Sequence, residues 1–595
     1  MSVKKNLIVS YTPKLWIEDL AEKFILDPYV ADRIEAHKGT FVVNGIARHR
    51  RVNRDSLRYD SEEVDRRYEK YIDILYRRLN FIHGTNYGKQ FWKKALSLGL
   101  IRYITALYDT FMLLESNYDE SMHELRVLST KSYFTPFDFE EHRYCFQNTD
   151  FGQEQLVSLY INLFSDRLHE SVDLKFSMYP NKSSLKSKLR EFFDGVLFLK
   201  QKYYNYKLST KSSDIQVAIL GSYFASEKLS SLAKSSLGAV ALLAPPKTVR
   251  KRTLNQSWRK MLSAIDDEFD KFDRYFFNSL ETMFPVLFLE AFHKRSKKYK
   301  GFLKKFTNTH TVISENWISN SETSFILALM QNSGVKHIYN EHNAFYHPFE
   351  GSFIEHVVAL CDIYATLGWS DKLNRSKIIS MGSLYPFSRG LADPNASDIL
   401  FVAGSIGVKA THFSGAYGYC QEKAMNSVNF NRSFFSLLKS SVVNNLIYRG
   451  YPTHKIQHLQ VYDKEKFYSD LLVNAKISDW ESSAMDEMHR SKLVIIDYIS
   501  TAYIESILAD IPTILFWDPE SYYLNELYND FFAPLIDCGV CQTCPAGASR
   551  IVNSIAENPF KWWNSSEVQS GVKKFIDKNL GKAEVLEQYI LSKVK

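Results

Sequence analysis

The 595 residues carry a formal net charge of +7, from 74 basic and 67 acidic side chains. That balance is too mild for a nucleic-acid-binding surface but suits anionic ligands or a membrane surface. Hydrophobic residues at 45% and charged residues at 24% are ordinary globular values, and the length predicts two or more domains.

The best apolar run, Leu237 to Pro245, is far too short to span a bilayer, and the opening MSVKKNLIVSYTP is not a secretory signal. Six cysteines in so long a chain point to a reducing compartment, so a cytoplasmic protein is expected.

Leu7 to Ser10 is the first strand candidate. Val64, Tyr68, Tyr71, Leu75 and Leu79 then line one face of an amphipathic helix that closes at His83-Gly84. A second helical pattern starts near Phe91-Trp92. The segment between is a polar corner where His83, Asn86 and Tyr87 could meet a ligand. From 130 to 310 helical patterns alternate with short strands such as Val217 to Leu220. Asp266 to Asp270, interleaved with Phe269, Phe272, Tyr275 and Phe276, reads as the wet face of a helix rather than a metal cluster.

Val312-Ile313 and Val335 to Tyr339 are strand candidates, and the second runs into Glu341-His342-Asn343, a carboxyl end of the kind where ligands collect. Glu355-His356, Asp362, Ile363 to Leu367 and Gly368-Trp369 follow. Gly382 to Asp398 reads as a linker. A second α/β block opens at Ile399 to Ala403 with Gly404-Ser405, and Leu446 to Arg449 leads into Gly450-Tyr451-Pro452-Thr453-His454.

Ser491 to Glu520 is the most informative stretch. Leu493 to Ile496 is a continuous apolar strand, Ile504, Ile507 and Leu508 recur at helical spacing, and Thr513 to Trp517 is a second strand after Pro512. Ser500 or Thr501 is placed to cap the helix, whose first turn suits a phosphate. Glu505 lies outside a capping box and could accept bonds from ribose or sugar hydroxyls. Cys538, Cys541 and Cys544 form C-x2-C-x2-C with no fourth ligand, so incidental thiols are expected and no metal. No G-x-G-x-x-G follows a strand, which argues against a dinucleotide cofactor.

The divisions expected are an N-terminal α/β domain with helical insertions over 1–385, a linker over 386–398, a C-terminal Rossmann-like domain over 399–567, and a helix over 568–595 that could cross back. Two blocks with polar strand ends imply an interdomain cleft.

Several stretches together resemble a family of transferases encoded in bacterial surface-polysaccharide and nonulosonic-acid gene clusters. They are Glu355-His356 … Asp362 … Gly368-Trp369, the 83–87 corner with Phe91-Trp92, Arg449-Gly450-Tyr451-Pro452, Asp497 through Phe516-Trp517-Asp518-Pro519, and Trp562-Trp563-Asn564 … Glu567-Val568-Gln569. More distantly the chain is similar to Kdo-type glycosyltransferases, with Pro452-Thr453-His454 and Ser500-Thr501 as counterparts around the nucleotide phosphate. The family's Gln-His-Gly-Gly-Gly-Tyr-Gly-like loop is replaced by Glu341 to His347, where His342 and Tyr346 carry over and the glycines do not.

The resemblance implies an α/β GT-B-like fold, two Rossmann-like domains facing a cleft with extra N-terminal helices. The activity implied is metal-independent glycosyl transfer from a nucleotide sugar to a glycan or lipid-linked glycan, with no cofactor, no nucleic acid and peripheral inner-membrane contact. Donor binding is expected of Arg449, His454, Ser500, Thr501, Glu505, Gly404 and Ser405, and base catalysis of His342, Glu341, His83 or Glu355. Asn86, Tyr87, Tyr346 and His356 would lie on the acceptor side. The alternatives are a non-catalytic glycan- or nucleotide-binding component and a sugar-nucleotide epimerase-like enzyme.

Overall fold

The computed structural model describes residues 4–17, 19–20, 22–26, 30, 42–47, 53–176, 212–222, 224–246, 249–315, 320–342, 345, 347–385, 393, 395–404, 421–451 and 464–594. Three parallel sheets organise them. The first joins β1 (Lys5–Ile8), β2 (Glu22–Ile25), β3 (Val42–Ile46) and β4 (His123–Glu124) in the order β3-β2-β1-β4. This sheet goes beyond the sequence reading, which placed a single strand there and otherwise helices. The capped helix Arg54–His83 and the helix Lys89–Asn117 follow it. Gly84 closes the first of these helices in the left-handed conformation, φ 57°. A small ribbon pairs β5 (Val127–Leu128) with β6 (Ser171–Val172).

The second sheet contains β7 (Val217–Ile219), β8 (Val240–Leu242), β9 (Thr311–Ser314), β10 (Lys336–Asn340), β11 (Ile363–Thr366) and β12 (Ile378–Ser380), in the order β12-β11-β10-β9-β7-β8. Asp270 caps the helix Lys271–Met283, so Asp266 to Glu268 lie in the turn before the helix and not on its face. The third sheet contains β13 (Asp398–Val402), β14 (Leu446–Arg449), β15 (Lys476–Ile477), β16 (Ser491–Ile496), β17 (Thr513–Phe516) and β18 (Cys541–Gln542). Its order, β15-β14-β13-β16-β17-β18, is the doubly wound Rossmann order, reversing between β13 and β16. Leu493 to Ile496 are each 0% exposed, which explains the unbroken apolar run; burying each contributes about 1.5–3 kcal/mol.

The chain then returns to the second sheet. Gly368 bridges Leu580, and Gly581 N–H donates to the Leu367 carbonyl at 2.7 Å. Leu586 and Ile590 of the helix Ala583–Leu591 pack into the core of Val217, Ile219, Ile313 and Ile338, while Lys228 pairs with Glu587 at 3.2 Å. A second tie joins the halves at Phe349 and Leu524, which form an antiparallel bridge. Arg54 and Arg58 pair with Glu350 beside it, at 2.9 and 2.8 Å.

Candidate functional site

The reversal between β13 and β16 leaves a crevice beyond their carboxyl ends, where Val402 and Ile496 are register partners. Asp497 holds this place together. Its Oδ1 accepts the Gly404 N–H and its Oδ2 accepts the Asn431 amide, each at 2.5 Å. A Cβ on Gly404 would lie 2.5 Å from Cγ of Tyr498, so a glycine is needed for this close approach. Ser500 then caps the helix Thr501–Leu508, its hydroxyl accepting the Ala502 N–H at 3.2 Å. The helix start is half-buried at Ser500 and Thr501. Its partial positive charge points into the crevice, as a helix beginning at a strand's carboxyl end requires.

The second sheet faces it. His342 follows β10, and its ring lies edge-on to that of Tyr385, centroids 6.4 Å apart. The Tyr385 hydroxyl donates to Glu505 Oε1 at 2.9 Å, one turn inside the 501–508 helix. His342, Tyr385 and Glu505 therefore link the strand ends of the two sheets. Burial raises the Glu505 carboxyl above its ordinary value and pushes the His342 imidazole down to about 4. His342 is thus neutral near pH 7.

Several expected site residues are occupied elsewhere. The buried Arg449 guanidinium meets Glu487 at 2.5 Å, donates to Ser478 at 3.1 Å and lies 4.0 Å over the Trp480 ring, so its fork is committed within its own domain. Glu341 accepts the Leu367 N–H at 3.0 Å and the Trp369 indole N–H at 2.6 Å, and acts as a brace beneath the loop. Glu355 pairs with Arg375 at 2.5 Å; both line a cavity of about 120 Å³ with His347, Asn525 and Tyr528. His356 meets Asp65 at 2.8 Å and ties its helix, Ile354–Leu360, to the 54–83 helix.

The 83–87 corner is organised by Asn80, which bonds both the N–H and the carbonyl of Tyr87, at 3.0 and 2.7 Å; Asn86 is exposed. The Tyr87 ring stacks on Phe91 at 3.8 Å. His83 lies in the helical layer, stacked on Phe292 at 4.2 Å, with Nε2 3.0 Å from the Phe288 carbonyl. It is a core histidine, not a cleft residue. Ser405, His454 and Tyr346 lie outside the described residues, as do residues 386–392 and 394 of the segment read as a linker.

Tyr385 is the site residue that sequence reasoning missed. Its signal is its place just inside the segment read as a linker, which begins at Gly382. Asp497 was visible as the first residue of one of the stretches that carry the resemblance. The cysteines are separate: Cys538 and Cys541 are buried, whereas Cys544 is exposed and accepts the Gly547 N–H. Among the described residues no group of three or more His, Cys, Asp or Glu could hold a metal ion.

Histidines pushed down by burial predict a pH response. Burial pushes His83 and His342 down to about 4 and His142 down to about 3. All lie below the unfolded value of about 6.5, so the unfolded chain binds more protons as pH falls through that value. Stability is retained above about pH 6.5 and lost progressively below it. The melting temperature should therefore drop between pH 7 and pH 4.5, and less steeply in His83→Gln than in the native chain. Parallel slopes would show that His83 is not held neutral by burial.

Comparison with solved structures returns loose likenesses. Acinetobacter baumannii MurG is 12% identical, with 64% of this chain and 99% of that chain covered and a TM-score of 0.32. The Neisseria meningitidis UDP-GlcNAc 2-epimerase bound to UDP-GlcNAc is 10% identical, with 64% and 99% covered and a TM-score of 0.35. The wall teichoic acid polymerase TagF is 11% identical, with 69% and 96% covered and a TM-score of 0.30. No curated protein matches. The two six-stranded sheets, joined through their carboxyl ends, have the GT-B-like architecture. A family model matches residues 5–590, nearly the whole chain, and the protein belongs to the LIC12162 family of transferases.

Proposed function

We propose that the protein is a metal-independent glycosyltransferase that moves a sugar from a nucleotide-activated donor, such as a CMP-ulosonic acid, to a bacterial surface-glycan precursor. It would work in the cytoplasm, peripherally at the inner membrane, with no cofactor beyond the donor. The observation that carries this reading is the meeting of His342, Tyr385 and Glu505 beside the capped helix start at Ser500 and Thr501.

In this reading the acceptor hydroxyl attacks the anomeric carbon as the carbon–oxygen bond to phosphate breaks. The hydroxyl proton goes to the neutral His342 imidazole. Negative charge developing on the departing phosphate is met by the first-turn amides of the 501–508 helix. Arg449 takes no part, because Glu487 already neutralises it.

The test is a thermal-shift panel of CMP, UDP, GDP and dTDP sugars. A donor at a hundred times its Kd should stabilise the fold by about 2.7 kcal/mol, or about 2–4 °C. No shift with any of the four removes the donor reading.

The second reading, a non-catalytic binder, is favoured by the commitment of Glu341 to bracing Leu367 and Trp369. It predicts a donor shift with no transfer to any acceptor.

A further inference from the structure

The helix Phe292–Leu303 turns Phe292, Arg295, Ser296 and Tyr299 inward, and leaves Lys294, Lys297 and Lys300 exposed, with Lys304 and Lys305 exposed just beyond it. This basic face is bordered by apolar side chains that the core does not use. Arg295 Nη2 donates to the Val249 carbonyl at 2.9 Å, which sets Val249, 80% exposed, beside the helix. Trp258 of the neighbouring helix Gln256–Leu262 packs on His293, centroids 6.4 Å apart. Arg78 donates to the Leu262 carbonyl at 2.8 Å. Phe81 follows Arg78 by three positions on the same helical face and stands 76% exposed. The 83–87 corner adjoins them, with Lys300 Nζ 5.4 Å from the Tyr87 ring centroid. The chain turns acidic at Asp266 to Glu268, which bounds the basic surface in sequence.

We infer that this face, lysines flanked by Phe81 and Val249, docks the protein on an anionic lipid bilayer. Clustered ammonium groups are drawn to anionic headgroups, and isolated exposed apolar tips enter the headgroup boundary. A nucleic-acid backbone would satisfy the lysines and leave Phe81 and Val249 in water, whereas the headgroup boundary of an anionic bilayer takes up both, so the combination favours lipid. The inference rests on the glycosyltransferase reading only for its purpose, which is to bring the cleft to a membrane-held acceptor.

The full chain, without nucleotide, should co-sediment with vesicles of two parts phosphatidylcholine to one part phosphatidylglycerol, and not with pure phosphatidylcholine. Removing three charges in Lys294→Gln/Lys297→Gln/Lys304→Gln should weaken binding about a hundredfold. Phe81→Ser should weaken it severalfold, an effect that a purely ionic contact would lack. Lys573→Gln/Lys574→Gln, exposed on the helix Ser566–Asn579, should bind as the native chain does. Equal binding to both vesicle types, equal losses in the triple variant and this control, or duplex DNA binding without vesicle binding would each overturn the proposal. A thermal shift with donor but no vesicle binding would remove the docking face and leave the donor reading intact.

Discussion

Gly368→Ala is expected to destabilise the protein by more than about 4 kcal/mol, a large fraction of a typical total of about 5–15 kcal/mol. Two independent causes add. Gly368 has φ +140°, in the region an L side chain seldom adopts. A Cβ built there would also lie 1.8 Å from the backbone nitrogen of Gly581 and 2.7 Å from its Cα.

Neither strand can give way easily, because Gly581 N–H already bonds the Leu367 carbonyl and Gly382 N–H bonds that of Thr366. At Gly382, with φ +114°, a Cβ would lie 2.7 Å from the Lys582 carbonyl oxygen and 2.9 Å from that of Gly581. Gly84→Ala is the matched control. Its φ of +57° is also positive, but nothing lies within 4 Å, so it should cost only about 1 kcal/mol. Denaturant midpoints decide the matter. A Gly368→Ala midpoint no lower than that of Gly84→Ala would mean that the two strands do not cross in contact.

His342→Ala should lower turnover by about 10²–10⁴-fold, the usual worth of a positioned general base, with little change in melting temperature. Its neighbour separates the base from its support. Tyr385→Phe removes the hydroxyl that reaches Glu505 across the cleft but keeps the ring beside His342. That change should cost less in turnover and should leave the pH profile in place.

The profile itself follows from the low value of His342. With the imidazole held near 4, the acid limb of kcat/KM should fall near pH 4, and activity should be flat from pH 6 to 8 on that side. Retention of turnover within a few-fold in His342→Ala would exclude it as the base. An acid limb near 6.5 would show that substrate access restores the ordinary value.

The β16–helix–β17 unit was legible because a strand buried on both faces carries a continuous apolar run and because Ser500 is a strong cap. The first sheet was not legible. Its strands are short, and Lys23 sits buried in β2 with its ammonium donating to the Ile17 and Leu20 carbonyls, which erases the apolar pattern.

Two expected site residues have partners that lie far off in sequence. Nothing around Arg449 announces Glu487, and nothing around His83 announces Phe288. Part of the most distinctive motif carries architecture. Asp362 holds the His337 N–H at 2.7 Å, Gly368 makes the crossing, and Trp369 is tied to Glu341. His342 and Glu505 were legible by their places at a strand end and one turn inside a helix, but only the fold supplies the tyrosine between them.

The helix Ala583–Leu591 has a consequence for how the chain is made. Leu586 and Ile590 complete the core over Val217 and Ile219, more than half the chain earlier. During translation those strands emerge long before the side chains that cover them, so their apolar face waits exposed until residues 583–591 follow. Contacts of such sequence separation form slowly and invite capture by chaperones, so the nascent protein is at its most vulnerable while its middle is already synthesised.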